Sequence, residues 1–262
     1  MSTLTLALRD SNTMLRRNLL HMRRYPSLTL MLIGIPVILL LLFVYVFGGT
    51  LGAGLGPSGD RADYANYVTP GILLITVASA AQGTAISVAM DMAEGIIARF
   101  RTMAIFRPSV LTGHVMGSVF QSMLSLAAVT GVALLVGFRP TASAVEWLAA
   151  IGVLTMITFA VTWLSVALGL VSKSVETASN LPMPLVLLPF LGSGFVPTDS
   201  MPTPVRLFAD YQPFTPVMET LRGLLFGTGI GVNGFLAVGW CAVITVVCFL
   251  WAKALYNRGR TA

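Results

Sequence analysis

Apolar positions along this chain gather into long runs uninterrupted by charge, at residues 28–47, 68–90, 114–138, 147–171, 181–197 and 235–252. About 20 residues is the length that carries a helix across the hydrocarbon of a bilayer, so the pattern predicts an all-α polytopic membrane protein with six transmembrane helices. Tyr25, Tyr67, Trp147 and Tyr256 fall near the ends of these runs, where amphipathic rings settle at a water interface. The fifth run is interrupted by Pro182, Pro184, Pro189 and Pro197 together with Gly192 and Gly194, and one straight helix is not expected there. Residues 198–234 follow, with Pro202, Pro204, Pro213 and Pro216 set among Val205, Leu207, Phe208, Phe214, Leu221, Leu224, Leu225 and Phe226. That segment is too apolar for a solvated loop. It predicts a re-entrant pair of short helices dipping in from the outer side, buried against protein so that its backbone groups are satisfied.

Ahead of the first run, Leu4, Leu8, Leu15, Leu19 and Met22 share a narrow arc of a helical wheel while Arg9, Arg16, Arg17, Arg23 and Arg24 occupy another. The stretch 1–27 is therefore expected to be an amphipathic helix lying along the inner surface, with Pro26 separating it from the first span. It would serve as a lipid-facing anchor alone, or would also touch a cytoplasmic partner. No internal repeat or soluble domain interrupts the chain, which reads as one transmembrane domain over residues 1–262.

Composition sharpens this picture by exclusion. Hydrophobic residues make up 56% of the 262 and charged residues only 10%, which rules out an ordinary cytoplasmic enzyme. The net charge of +6 does not point to nucleic acid, because the basic residues flank apolar spans. With both termini cytoplasmic, the inner segments hold Arg9, Arg16, Arg17, Arg23, Arg24, Arg99, Arg101, Arg107, Lys173, Lys253, Arg258 and Arg260, and the outer ones only Arg61, Arg139, Arg206 and Arg222. That imbalance sets the orientation. No Asp, Glu, Lys or Arg falls inside a predicted span, so proton-coupled transport has little to use beyond His114 at a span end. Cys241 and Cys248 lie about 10 Å apart along one helix, too far for a disulfide. The N-terminus does not read as a cleavable signal, because its first apolar run is too long and follows a long basic segment.

Within the spans Gln82 and Gln121 are the conspicuous amides, with Ser79, Thr84, Ser122 and Ser125 near them. Helix-to-helix hydrogen bonding accounts for them; lining a substrate path is the alternative. Residues 91–108 between the second and third spans mix Glu94, Arg99 and Arg101 with Ile96, Ile97, Phe100 and Phe106. A passive loop does not need two exposed aromatics, and the segment is expected to be a short cytoplasmic helix made to dock. The chain has no Gly-x-x-x-x-Gly-Lys-Ser/Thr loop, no Gly-x-Ser-x-Gly elbow and no His-Glu-x-x-His, and His21 and His114 are its only histidines. Catalytic, cofactor-binding and metal-binding residues are therefore not expected on it.

The run Glu94-Gly95-Ile96-Ile97-Ala98-Arg99-Phe100-Arg101, with Gln212-Pro213-Phe214-Thr215-Pro216-Val217-Met218-Glu219-Thr220-Leu221-Arg222-Gly223 before the sixth span, resembles the permease subunits of type-2 ABC exporters. The chain is most similar to the daunorubicin/doxorubicin-resistance permeases of actinobacteria, over essentially its whole length. The resemblance implies a multi-pass protein of the bacterial plasma membrane that exports lipophilic drugs, metabolites or lipids. It implies that Glu94, Gly95, Arg99, Phe100 and Arg101 belong to a coupling helix seated in a groove of an ATPase subunit, with ATP and Mg held on that partner. A second permease, identical or paralogous, would complete the transporter, with membrane lipids around it. A polysaccharide or lipid export permease of the same architecture, and a channel or scaffold without ATP, stand as alternatives.

Overall fold

The computed structural model describes residues 26–54, 60–95 and 108–258, and all regular structure among them is helical. The predicted amphipathic helix over 1–25 and the heart of the predicted docking helix, residues 96–107, lie outside the described residues. Among the described residues, five helices are long and apolar enough to cross a membrane: Leu30–Ala53, Arg61–Ala93, Leu111–Val136, Ala144–Val171 and Asn233–Tyr256. In chain order the elements are α1 (Pro26–Leu41), a π-helical turn (Leu42–Phe47), α2 (Gly48–Ala53), α3 (Arg61–Ala93), α4 (Pro108–Val136), α5 (Ala144–Val171), α6 (Val175–Asn180), α7 (Met183–Leu187), α8 (Thr203–Tyr211), α9 (Phe214–Phe226) and α10 (Asn233–Arg258).

Helix starts follow local chemistry. At α3, Asp60 Oδ1 accepts from the amides of Ala62 at 2.7 Å and Asp63 at 2.9 Å, while Asp63 accepts from the Asp60 amide. At α5, Glu146 Oε2 accepts from the Ser143 amide at 2.6 Å and Ser143 Oγ accepts from the Glu146 amide. Both are reciprocal boxes that satisfy first-turn donors, and they place carboxylates at the positive end of the helix.

The 33-residue α3 is the axis of the molecule, with Ile72, Leu74, Ile75, Ala78, Ala85 and Val88 fully buried. Its small side chains let α5 approach closely. A Cβ at Gly169 would sit 2.7 Å from the Ala85 carbonyl oxygen and 2.9 Å from Val88 Cβ. α1, the π-helical turn after it and α10 pack on the outside and leave Ile35, Ile38, Tyr45, Phe235, Val246 and Leu250 exposed, a surface suited to lipid rather than water. Hydroxyls inside the helices bond back to their own backbone: Thr69 to Ala65, Thr76 to Ile72, Thr158 to Leu154 and Thr162 to Thr158, each at 2.9 Å or less. Such bonds keep polar side chains satisfied without any partner helix.

The chain between α5 and α8 forms two short α-helices and a series of turns where the sequence pattern predicts a fifth span, and then a 3-10 turn at Thr198–Ser200. It climbs beside α3, from Ser179 at the level of Gln82 to Phe195 at the level of Tyr64. That is a rise of about 27 Å along the α3 axis. Pro182, Pro184 and Pro189 withdraw amide donors, and Gly192 and Gly194 allow the backbone to bend against its neighbours. A Cβ at Gly71 would lie 2.7 Å from the Gly194 carbonyl oxygen, so α3 and this bend touch backbone to backbone.

Candidate functional site: the two ends of the central helix

At one end, α3 stops at Ala93. The amide of Glu94 donates to the Met90 carbonyl at 2.9 Å and that of Gly95 to the Met92 carbonyl at 3.1 Å. Gly95 then turns the chain away with φ +68°, a conformation a side chain would oppose. Glu94 is exposed at this exit. One turn back, Asp91 Oδ2 accepts from His114 Nε2 of α4 at 2.9 Å. Asp91 and His114 are only 8% and 6% exposed, and an apolar cluster of Val88, Leu111, Val115 and Trp163 lies beside them. Of the predicted docking residues, Glu94 and Gly95 are thus placed at the mouth of α3. Arg99, Phe100 and Arg101 lie outside the described residues.

The opposite end is organised by Arg222 of α9. Its Nε donates to the Tyr67 carbonyl at 3.3 Å. Nη1 donates to Ser193 Oγ at 3.2 Å and to Glu219 Oε1 at 2.5 Å. Nη2 donates to the Tyr67 carbonyl at 3.1 Å and to the Ser193 carbonyl. The guanidinium also lies 3.9 Å from the centre of the Tyr67 ring. All five N–H donors of the arginine are therefore used within the protein, on three separate elements. Beside it, Gln212 Nε2 donates to the Leu188 carbonyl and to Thr215 Oγ1, each at 3.1 Å, and Tyr64 Oη donates to the Phe195 carbonyl at 3.3 Å. Phe195 stacks on Phe190 at 4.5 Å between ring centres and meets Phe43 of the π-helical turn at 4.4 Å. The proline- and glycine-rich bend is clasped from three sides.

Of the two helices between this bend and α10, α9 is buried over most of its surface. α8 keeps Leu207, Phe208 and Tyr211 exposed, while its Arg206 pairs with Asp199 and Asp210. Trp240 Nε1 of α10 donates to the Tyr211 carbonyl at 3.1 Å, which pins α8 to the last helix.

Of the amides singled out in the sequence, Gln82 has a backbone partner. Gln82 Nε2 donates to the Ser179 carbonyl at 2.6 Å, which ties α6 to α3, and Gln121 is half-buried on α4. The sequence pattern places Arg222 among the outer basic residues and His114 at a span end, and neither position shows its partner. The signal for the first was Glu219, one helical turn before it within an apolar stretch. The second required knowing that α3 and α4 are neighbours.

A sequence profile of the ABC-2 type transporter family matches residues 10–226. A daunorubicin resistance ABC transporter permease, DrrB1, of Streptomyces coeruleorubidus is 30% identical over 229 residues, which cover 87% of this chain and 77% of the relative. A probable doxorubicin resistance ABC transporter permease, DrrC, of Mycobacterium tuberculosis is 22% identical over 226 residues, 86% of this chain and 81% of the relative.

Proposed function

This chain belongs to the ABC-2 type transporter family, and on that premise we propose that it is the membrane subunit of an exporter that carries lipophilic compounds outward. The energy comes from ATP hydrolysed, with Mg, on a separate subunit. The drug-resistance names of its relatives support a drug-like or metabolite cargo for this chain as well. In this reading residues 1–262 form one permease domain of the bacterial inner membrane, and a second permease, identical or paralogous, completes the transporter. Both termini are cytoplasmic and the Asp91 end of α3 faces the cytoplasm; the clasped bend and residues 198–234 face outward. The fifth crossing is the broken climb from Ser179 to Phe195. Glu94, Gly95, Arg99, Phe100 and Arg101 engage the ATPase, and Gln82 and Gln121 lie beside the cargo path.

One observation carries the coupling assignment. The central helix, packed against most of the other spans, ends at Ala93 and hands over through the left-handed turn at Gly95 to the charged and aromatic segment. A force applied there reaches the core of the molecule along one continuous helix. The test is purification in mild detergent with its ATPase, followed by ATP-driven uptake of a fluorescent lipophilic compound into inverted vesicles. Reversal of charge in the double variant Glu94→Lys, Arg101→Glu is expected to lower uptake at least tenfold while the permease still inserts. Normal uptake by that variant would falsify the assignment.

A further inference from the structure

The buried pair Asp91–His114 joins the last turn of α3 to the second turn of α4, the two helices from which the intervening cytoplasmic segment departs. Everything around it is tight. Gly169 of α5 packs on the backbone of Ala85, and Val88, Leu111, Val115, Cys248 and Ala252 complete an apolar block at the same level. Just beyond the pair Gly95 ends the helix in a left-handed turn with φ +68°, and among the described residues nothing lies within 4 Å of the position its Cβ would take. A push delivered through such a turn tilts the block as a whole only when the block's edge is held together. The bond from His114 to Asp91 holds that edge in a dry setting, where a hydrogen bond to a carboxylate is stronger than at an exposed surface.

We propose that Asp91 and His114 are positioning residues for energy coupling: their bond makes the inner ends of α3 and α4 move as one body, so that a push on the segment between them tilts both spans instead of spreading them. The proposal rests on the reading of that segment as the contact for an ATPase. It assigns to the pair no contact with cargo or nucleotide.

The experiment measures compound moved per ATP hydrolysed in the reconstituted complex. For Asp91→Ala and for His114→Ala, ATPase association is expected to persist while transport per ATP falls about tenfold, as expected when a hydrogen bond to a charged group is lost. Asp91→Asn keeps an acceptor for the His114 Nε2–H and is expected to retain at least half of the coupling. A structural readout covers variants that assemble poorly. Spin labels replace the exposed Met90 and Met116 in a permease whose Cys241 and Cys248 are alanine. Their distance distribution should be narrow in the otherwise unaltered permease and in Asp91→Asn, and broad in Asp91→Ala. Unimpaired coupling in Asp91→Ala would overturn the proposal, as would equal damage from Ala and Asn or a distance distribution that does not respond. Failure of the unaltered chain to recruit any ATPase would instead count against the exporter reading, since the label distances are measured on the permease alone.

Discussion

A guanidinium at 8% exposure within an apolar protein survives because each of its donors has an acceptor. Removing it leaves the Ser193 and Tyr67 carbonyls and the Glu219 carboxylate without their cation. Arg222→Met should therefore cost about 3 kcal/mol or more, although methionine fills much of the same space. Thermal unfolding in detergent, followed by tryptophan fluorescence, would detect that loss. Arg222→Lys should recover only part of it, since an ammonium has three donors and no planar fork to bridge Tyr67 and Ser193. Equal stability of Met, Lys and Arg at this position would remove the clasp from the account. At this scale the sequence was partly readable. The spacings Asp60/Asp63 and Ser143/Glu146 are local helix-start signals that hydropathy alone passes over, whereas the worth of Arg222 and of Asp91 depends on which distant carbonyl or imidazole the fold brings near.

Elements were more legible than residues where burial is uniform and less so where it is not. Uncharged runs predict the five long helices because only a helix satisfies its own backbone in lipid. Proline and glycine predict the break between Ser179 and Phe195 because they remove donors and side chains. The path of that break along α3 could not be read, since it is set by backbone contact at Gly71 and Gly194 and by Gln212 from a later helix. Nor could the different burial of α8 and α9, which follows from packing of α9 against α3, α5 and α10. Close approach makes its own prediction. Gly169→Leu should destabilise by roughly 1–3 kcal/mol through overpacking against Ala85 and Val88. Gly152→Ala on the same helix meets nothing within 4 Å and should be neutral or mildly stabilising. The two melting curves, measured side by side, separate packing from propensity.

At the scale of the molecule, the helices alternate in direction around α3 so that α1 begins and α10 finishes at its Asp91 end. In the proposed orientation that end lies in the cytoplasm, and the prediction is direct. Single cysteines at Arg16 and Arg258, in a chain whose Cys241 and Cys248 are alanine, should resist a membrane-impermeant maleimide in intact cells and react after permeabilisation. A cysteine at Asp199 should react in both. Labelling of Arg16 or Arg258 from outside would invert the whole arrangement, and with it the side from which a motor could act. Membrane residence and multiple passes were evident from hydropathy; the exposed flanks of α1 and α10 were not, because a run of apolar residues does not say which side meets protein.

The length of α3 has a mechanical corollary. Its 33 residues make a rod of about 50 Å, and the oily layer it pierces is about 30 Å deep, so roughly 20 Å protrudes into the two watery margins. In the proposed exporter an overhang of that size serves as a lever arm, through which a small displacement at its tip rocks everything fastened along its shaft. Bilayer depth then sets the mechanical advantage, since a thicker membrane swallows the handle before it disturbs the joint.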